Sequence, residues 1–199
     1  LAPSLDARGA AACVESLAIE LARDVRIVRT PSAYGPRMDP DDRHPVAALV
    51  LAALAGLSLE EGSEDARAIV RVTWFEDAAR ALHRALVEDA CPLRLVAPYR
   101  APTAIELARL VAAASTTPCR PYLAHMPPLA PPREDGCAPA AEALDLGAPA
   151  DLRTCIAETM RAFEERTGIR ATRPGRTSGV YRKGDSLLPA AAALLARAR

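Results

Sequence analysis

Apolar residues recur along this chain at spacings that alternate between helical and extended. Over residues 10–22, Val14, Leu17, Ala18 and Leu21 return at three- and four-residue steps, the pattern of a helix with one apolar side. Residues 25–29, Val-Arg-Ile-Val-Arg, interleave apolar and basic side chains as a strand does. Pro31, Gly35, Pro36 and Pro40 then enforce a loop, because proline lacks an amide donor and glycine permits unusual dihedrals. An apolar helix over 46–55 is closed by Gly56, and short strands are predicted at 57–59 and 68–73.

Phe75, Ala78, Ala79, Leu82 and Leu86 predict one face of a helix over 75–88, followed by a strand at 93–96. Thr103 and Glu106 have the spacing of a capping box, in which each side chain satisfies an orphan amide at a helix start; that helix runs to Ala114. A Pro-rich loop covers 118–132. Leu152, Ile156, Met160 and Phe163 line one side of a helix over 152–165, with Asp151 as its cap. Residues 170–184 hold four glycines or prolines and five basic residues, which reads as a flexible basic linker, and 190–198 as a terminal helix. The domain expectation is one unit over 1–169 followed by the linker over 170–199. Strands alternating with helices give an α/β fold class.

The 199 residues are about one domain's worth, and 25 basic residues balance 25 acidic ones. A zero net charge argues against a protein whose business is gripping nucleic acid or an anionic membrane. No run approaches the ~18 apolar residues of a membrane span, and residues 1–12 carry no basic-then-apolar secretory pattern. Five widely spaced cysteines without a C-x-x-C predict reduced thiols, a cytoplasmic location and no metal site. Of the 25 basic residues 24 are Arg, so a mechanism that needs a lysine has Lys183 alone to draw on. No glycine-rich dinucleotide fingerprint or P-loop is present, so a pyrophosphate has no evident backbone cradle.

Several segments, in order, resemble the second half of an extended short-chain dehydrogenase/reductase of the nucleotide-sugar epimerase, dehydratase and UDP-glucuronate decarboxylase group. Val25-Arg-Ile-Val-Arg29 leading into Ser32-Ala-Tyr-Gly-Pro-Arg-Met38 is similar to the family's V-R-I-x-R strand and N-x-Y-G-P-R-M loop. Ala52-Leu-Ala-Gly56 is similar to its A-L-x-G helix end, and Arg71-Val-Thr-Trp-Phe-Glu-Asp77 to its R-x-x-Y-V-D-D. Residues 103–112 resemble the S-x-x-E-L-A helix, and Asp145-Leu-Gly147 with 152–163 the closing segment. The resemblance covers roughly 7–166. It implies part of a Rossmann-like parallel sheet plus the small C-terminal substrate domain, with the NAD-binding half preceding residue 1.

The departures matter as much. The family's Tyr-x-x-x-Lys pair sits on the helix before V-R-I-x-R, with a glutamate four residues after the lysine. Glu15 matches that glutamate, which places Ala11 at the lysine and Ala7 at the tyrosine. None of the four tyrosines is followed by a lysine four residues on. The chemistry needs a phenol acidified by a neighbouring ammonium, which methyl groups cannot supply. Ser32 stands at the family's sugar-nucleotide asparagine. Val70 stands at its phosphate-facing arginine, with Arg71 one place later and so on the opposite strand face.

The resemblance and the residues together set the functional expectations. The ligand-binding candidates are Ser32, Tyr34, Arg37, Arg71 and Trp74, and Arg94 and Arg100 could meet an anion. Acid/base candidates are Tyr34, His44, Glu76 and Asp77, although Glu76 and Asp77 also suit a helix start. The leading expectation is a degenerate, truncated homologue without redox catalysis or NAD of its own, serving as a ligand-binding or partner-interaction module. The alternatives are a cofactor-independent isomerase, cyclase or lyase reusing the sugar pocket, and a fragment completed by a separate nucleotide-binding half. Expected partners are a homodimer or heteromer mate and a nucleotide-sugar-like or other small molecule, with no nucleic acid and no membrane. The helix over 10–22 is the natural contact surface.

Overall fold

The computed structural model describes residues 7–21, 24–39, 44–54, 67–115 and 136–167. Their order is α1 (Ala7–Leu21), β1 (Ile27–Arg29), β2 (Ser32–Tyr34), α2 (Pro45–Leu54), β3 (Val72–Trp74), α3 (Phe75–Val87), β4 (Arg94–Val96), α4 (Ala104–Ala114), β5 (Ala138–Pro139), α5 (Ala140–Ala143) and α6 (Leu152–Thr167). The strands form two parallel sheets. One has the order β1-β4-β5, with Ile27 opposite Arg94 and Leu95 opposite Ala138; the other pairs β2 with β3, Ser32 opposite Val72. The pairings between these strands are all parallel, so each needs a crossover rather than a hairpin, which is the α/β arrangement, while Ile69 and Val72 make isolated antiparallel bridges to Thr103 and Arg100.

Each sheet has its own core. Against β1-β4-β5 pack Ala81 and Ala85 of α3, Ala140 of α5 and Leu144, meeting Leu95 and Ala97. Around β2-β3 stand α2, α4 and α6, whose Val50, Leu107, Ile156, Met160 and Phe163 enclose Val72 and Trp74. α2 is apolar nearly all round because it is buried nearly all round. α4 opens with the expected capping box: the Glu106 amide donates to Thr103 Oγ1 and the Thr103 amide to Glu106 Oε2 at 2.8 Å. Asp151 caps α6 as expected, its Oδ2 accepting from the Thr154 amide at 2.9 Å.

Two expectations are corrected. The Pro/Gly stretch after residue 30 is not all loop, because Ser32–Tyr34 forms β2, its backbone paired in register with β3. The inward face of α3 is Asp77, Ala78, Ala81 and Ala85, whereas Leu82 and Leu86 point outward, 53% and 82% exposed. Small residues let α3 lie close on the sheet, and burial of Asp77 fixes the rotation of the helix. The short strand at 57–59, the Pro-rich loop over 118–132, the linker over 170–184 and the helix over 190–198 lie outside the described residues.

Candidate functional site

Of the candidate residues, Ser32, Tyr34, Trp74, Glu76 and Asp77 lie where β2 and β3 pair and run into α3, whereas His44, Arg71, Arg94 and Arg100 make their contacts elsewhere. Tyr34 and Trp74 face each other across the two strands, their rings 5.4 Å apart and edge-on, and only 3% and 5% exposed. Phe75 follows Trp74 directly, edge-on to it at 4.7 Å, and its ring lies over Gly35, where a Cβ would come within 2.5 Å of Phe75 Cδ1. Trp74 Nε1 donates to Glu76 Oε2 at 3.3 Å. Ser32 is half-buried at the start of β2, and Arg37 is exposed on the turn that follows.

Beneath this aromatic row the Tyr34 hydroxyl is hydrogen-bonded to the thiol of Cys155 on α6. Burial, and then the neighbouring Cys155, push the Tyr34 phenol well above its ordinary range. Burial likewise pushes the Cys155 thiol up to about 11, although the Tyr34 hydrogen bond pulls against it. Both groups are therefore neutral near pH 7, a phenol and a thiol held in the core. No sequence motif pointed to Cys155, because the contact joins the start of the fold to its last described helix.

Asp77, 1% exposed, pairs with Arg80 and accepts from the Ala150 amide at 2.9 Å. It thus fastens α3 to the segment that leads into α6. His44 precedes α2 and works as its cap: Nδ1 accepts from the Val46 amide at 3.2 Å and its carbonyl from the Ala48 amide at 3.0 Å. Val70 is 2% exposed, while the next residue, half-buried Arg71, places its guanidinium 5.8 Å from the centre of the Tyr99 ring. Their side chains lie on opposite faces, as alternation along an extended chain requires. Arg100 donates to the carbonyls of Pro149 and Ala150 at 2.6 and 3.2 Å. Arg94 lies 3.9 Å from Glu15, which Arg29 also holds.

The starts of α2, α3, α4 and α6 do not fit a dinucleotide pyrophosphate. A bound pyrophosphate needs free amides and a positive dipole end at a helix start. α3 carries Glu76 and Asp77 in its first turn, α4 is closed by the Glu106 carboxylate, and α6 by that of Asp151. At α2, the first turn begins with Pro45 and the His44 ring takes the Val46 amide. Among the described residues no group of His, Cys, Asp and Glu could hold a metal ion, and no helix is long and apolar enough to cross a membrane.

No family model matches the chain, and no curated protein matches it. Solved structures do match. A UDP-glucose 4-epimerase from Thermotoga maritima, solved with UDP-glucose, aligns at a TM-score of 0.57 and 20% identity over 77% of this chain and 50% of its own. A UDP-glucuronic acid 4-epimerase from Bacillus cereus, in complex with UDP-glucuronic acid and NAD, aligns at 0.56 and 16% over 79% and 50%. An NAD-dependent NDP-hexosamine 5,6-dehydratase of tunicamycin biosynthesis aligns at 0.57 and 19% over 79% and 53%. The chain thus spans about half the length of the structures it matches. Its α/β fold with parallel sheets is shared with these two epimerases and this dehydratase over about half of their length.

Proposed function

We propose that this chain corresponds to the nucleotide-sugar side of an epimerase/dehydratase fold, does no hydride transfer of its own, and serves as a ligand-binding or partner-interaction module. One observation supports this above the rest. Glu15 is fixed on β1 by Arg29, with Nε to Oε1 at 2.9 Å and Nη2 to Oε2 at 2.7 Å. That contact favours reading Glu15 as the family's glutamate, so the lysine position one turn earlier is Ala11 and the tyrosine position is Ala7. A methyl group neither donates a proton to a sugar hydroxyl nor acidifies a phenol. The carboxylate-closed helix starts agree with a part that does not itself hold the dinucleotide.

On this reading Ser32, Arg37 and Arg71 face the ligand, while Tyr34 and Trp74 shape the ground beneath it. Isothermal titration of the purified chain with NAD and NADH is expected to give no saturable heat. Micromolar affinity for either would overturn the proposal. UDP-glucose supplies the complementary test, since Arg71→Ala should weaken its binding and leave the melting temperature unchanged.

The half-length match favours a second reading, in which a separate stretch of polypeptide supplies the nucleotide-binding part and this chain completes it. Even then Ala7 and Ala11 leave the composite without the usual acid/base pair. Coding sequence upstream of Leu1 decides between the two. An in-frame glycine-rich strand–turn–helix supports the second reading, and its absence the first.

A further inference from the structure

One peptide unit of the fold is gripped from both sides. The Ala150 amide donates to Asp77 Oδ2 at 2.9 Å, and the carbonyl of Pro149, the other half of that peptide, accepts from Arg100 Nη2 at 2.6 Å. Arg100 Nε also reaches the next carbonyl, that of Ala150, at 3.2 Å. The N–H and C=O of a trans peptide point in opposite directions, so Asp77 and Arg100 stand on opposite sides of it and hold its plane between them. Each arm comes from the elements that build the β2-β3 corner. Asp77 lies in the first turn of α3, and Arg100 exchanges backbone hydrogen bonds with Val72 of β3, both at 2.9 Å. The peptide they hold leads directly into α6. Asp151 follows it as the cap, its carbonyl takes the Cys155 amide at 3.1 Å, and the Cys155 thiol meets the Tyr34 hydroxyl. Tyr34 in turn packs edge-on against Trp74. After burial and Cys155, the Tyr34 phenol feels the charges of Asp77, which raises its pKa, and of Arg100, which lowers it.

We propose that Arg100 is a positioning residue for the nucleotide-sugar site: with Asp77 it clamps the Pro149–Ala150 peptide, and through Cys155 and Tyr34 that clamp sets where Trp74 stands. Arg100 does this as a donor to carbonyls, and no ligand contact is required of it. Its planar fork suits the task, because two N–H groups fixed in one plane set direction as well as distance. Pro149 leaves its own φ little freedom, so a shift of the clamp carries the start of α6 with it. The ligand side of this proposal rests on the nucleotide-sugar reading above, whereas the effect on Trp74 does not.

Trp74 is the single tryptophan of the chain, so its fluorescence reads the corner directly. Arg100→Ala should move that emission to longer wavelength and weaken UDP-glucose binding about tenfold in isothermal titration. Arg100→Lys keeps a donor for the carbonyls and should restore most of both. Arg100 is exposed, so the wild type and both variants should melt within a few degrees of one another. Wild-type emission from Arg100→Ala overturns the proposal, whatever the ligand does. A shift that comes only with a melting temperature lowered by about ten degrees or more is a loosening of the whole fold and overturns it as well. A wild type that takes no UDP-glucose, with emission still shifted in Arg100→Ala, overturns the nucleotide-sugar reading and leaves the clamp standing.

Discussion

Glu15 and Arg29 are joined by a two-pronged hydrogen bond, Nε to Oε1 at 2.9 Å and Nη2 to Oε2 at 2.7 Å, each side chain about one-fifth exposed. This fork ties α1 to β1, with Arg94 of β4 behind it at 3.9 Å. It therefore sets which residues of α1 lie over the sheet and which face away.

The fork makes stability acid-sensitive in a stated direction. The Arg29 hydrogen bond holds the Glu15 carboxyl below its ordinary value of 4.5, against an opposing effect of burial. A carboxyl whose folded pKa is depressed contributes stability above its unfolded pKa and loses that contribution as pH falls through the folded value. Denaturant melts of the wild type should therefore lose stability below about pH 4.5, and Glu15→Gln should lose less over the same interval. At neutral pH a Glu15→Gln/Arg29→Gln double-mutant cycle should give a coupling of about 1–2 kcal/mol. Additive single variants would show that α1 is held by something else.

Gly35 and Phe75 make a second pair whose test is local. A Cβ at Gly35 would fall 2.5 Å from Phe75 Cδ1, so the ring must swing away and lose its edge contact with Trp74. Gly35→Ala is expected to destabilise by about 1 kcal/mol. In a Phe75→Ala background the same change should cost close to nothing, since no ring remains to displace. An equal penalty in both backgrounds would assign the effect to the turn backbone instead.

What the sequence made legible was whatever depended on near neighbours. The Thr103/Glu106 capping box and the Asp151 cap lie within three residues of their partners, and both were readable from spacing alone. The run from Val25 to Arg29 and the apolar helix after His44 were equally plain. The rotation of α3 was not, because its largest apolar side chains, Leu82 and Leu86, point outward while alanines and a buried aspartate face in. Periodicity weighs side chains by size, and here close approach to the sheet outweighed size. β2 was hidden for a related reason: three residues between Pro31 and Gly35 become a strand only when β3 supplies the partner. The Tyr34–Cys155 contact joins residues from opposite ends of the described fold, and nothing local to either announces it.

That contact predicts how the thiols differ. Cys155 is 4% exposed with its thiol raised to about 11, whereas Cys13 is exposed on α1. At about pH 8 only about one Cys155 in a thousand is thiolate, even before access is considered. Iodoacetamide should label Cys13 within minutes and Cys155 only when denaturant opens the core, as read by peptide mass spectrometry. Tyr34→Phe removes the hydrogen bond that stabilises the thiolate, so it should slow Cys155 further. Rapid native labelling of Cys155 would mean that α6 leaves the core on the timescale of the reaction.

The outward stripe of α1 gives the last prediction. Val14, Leu17 and Leu21 lie on one side of the helix and are 66%, 53% and 76% exposed in the described fold, each at an apolar cost in water. The opposite side is tethered through Glu15 to Arg29, so α1 can remain on the sheet while this stripe meets another surface. Contiguous apolar area of this kind marks an association surface. Sedimentation of the wild type should show self-association at micromolar concentration. Leu17→Glu/Leu21→Glu should shift it to monomer without lowering the melting temperature, because neither side chain contributes to the core. A wild-type monomer at those concentrations would exclude a homodimer through this stripe and leave a different chain as the mate. A dimer that survives the double substitution would place the interface elsewhere, with the exposed Leu82 and Leu86 of α3 the next pair to change.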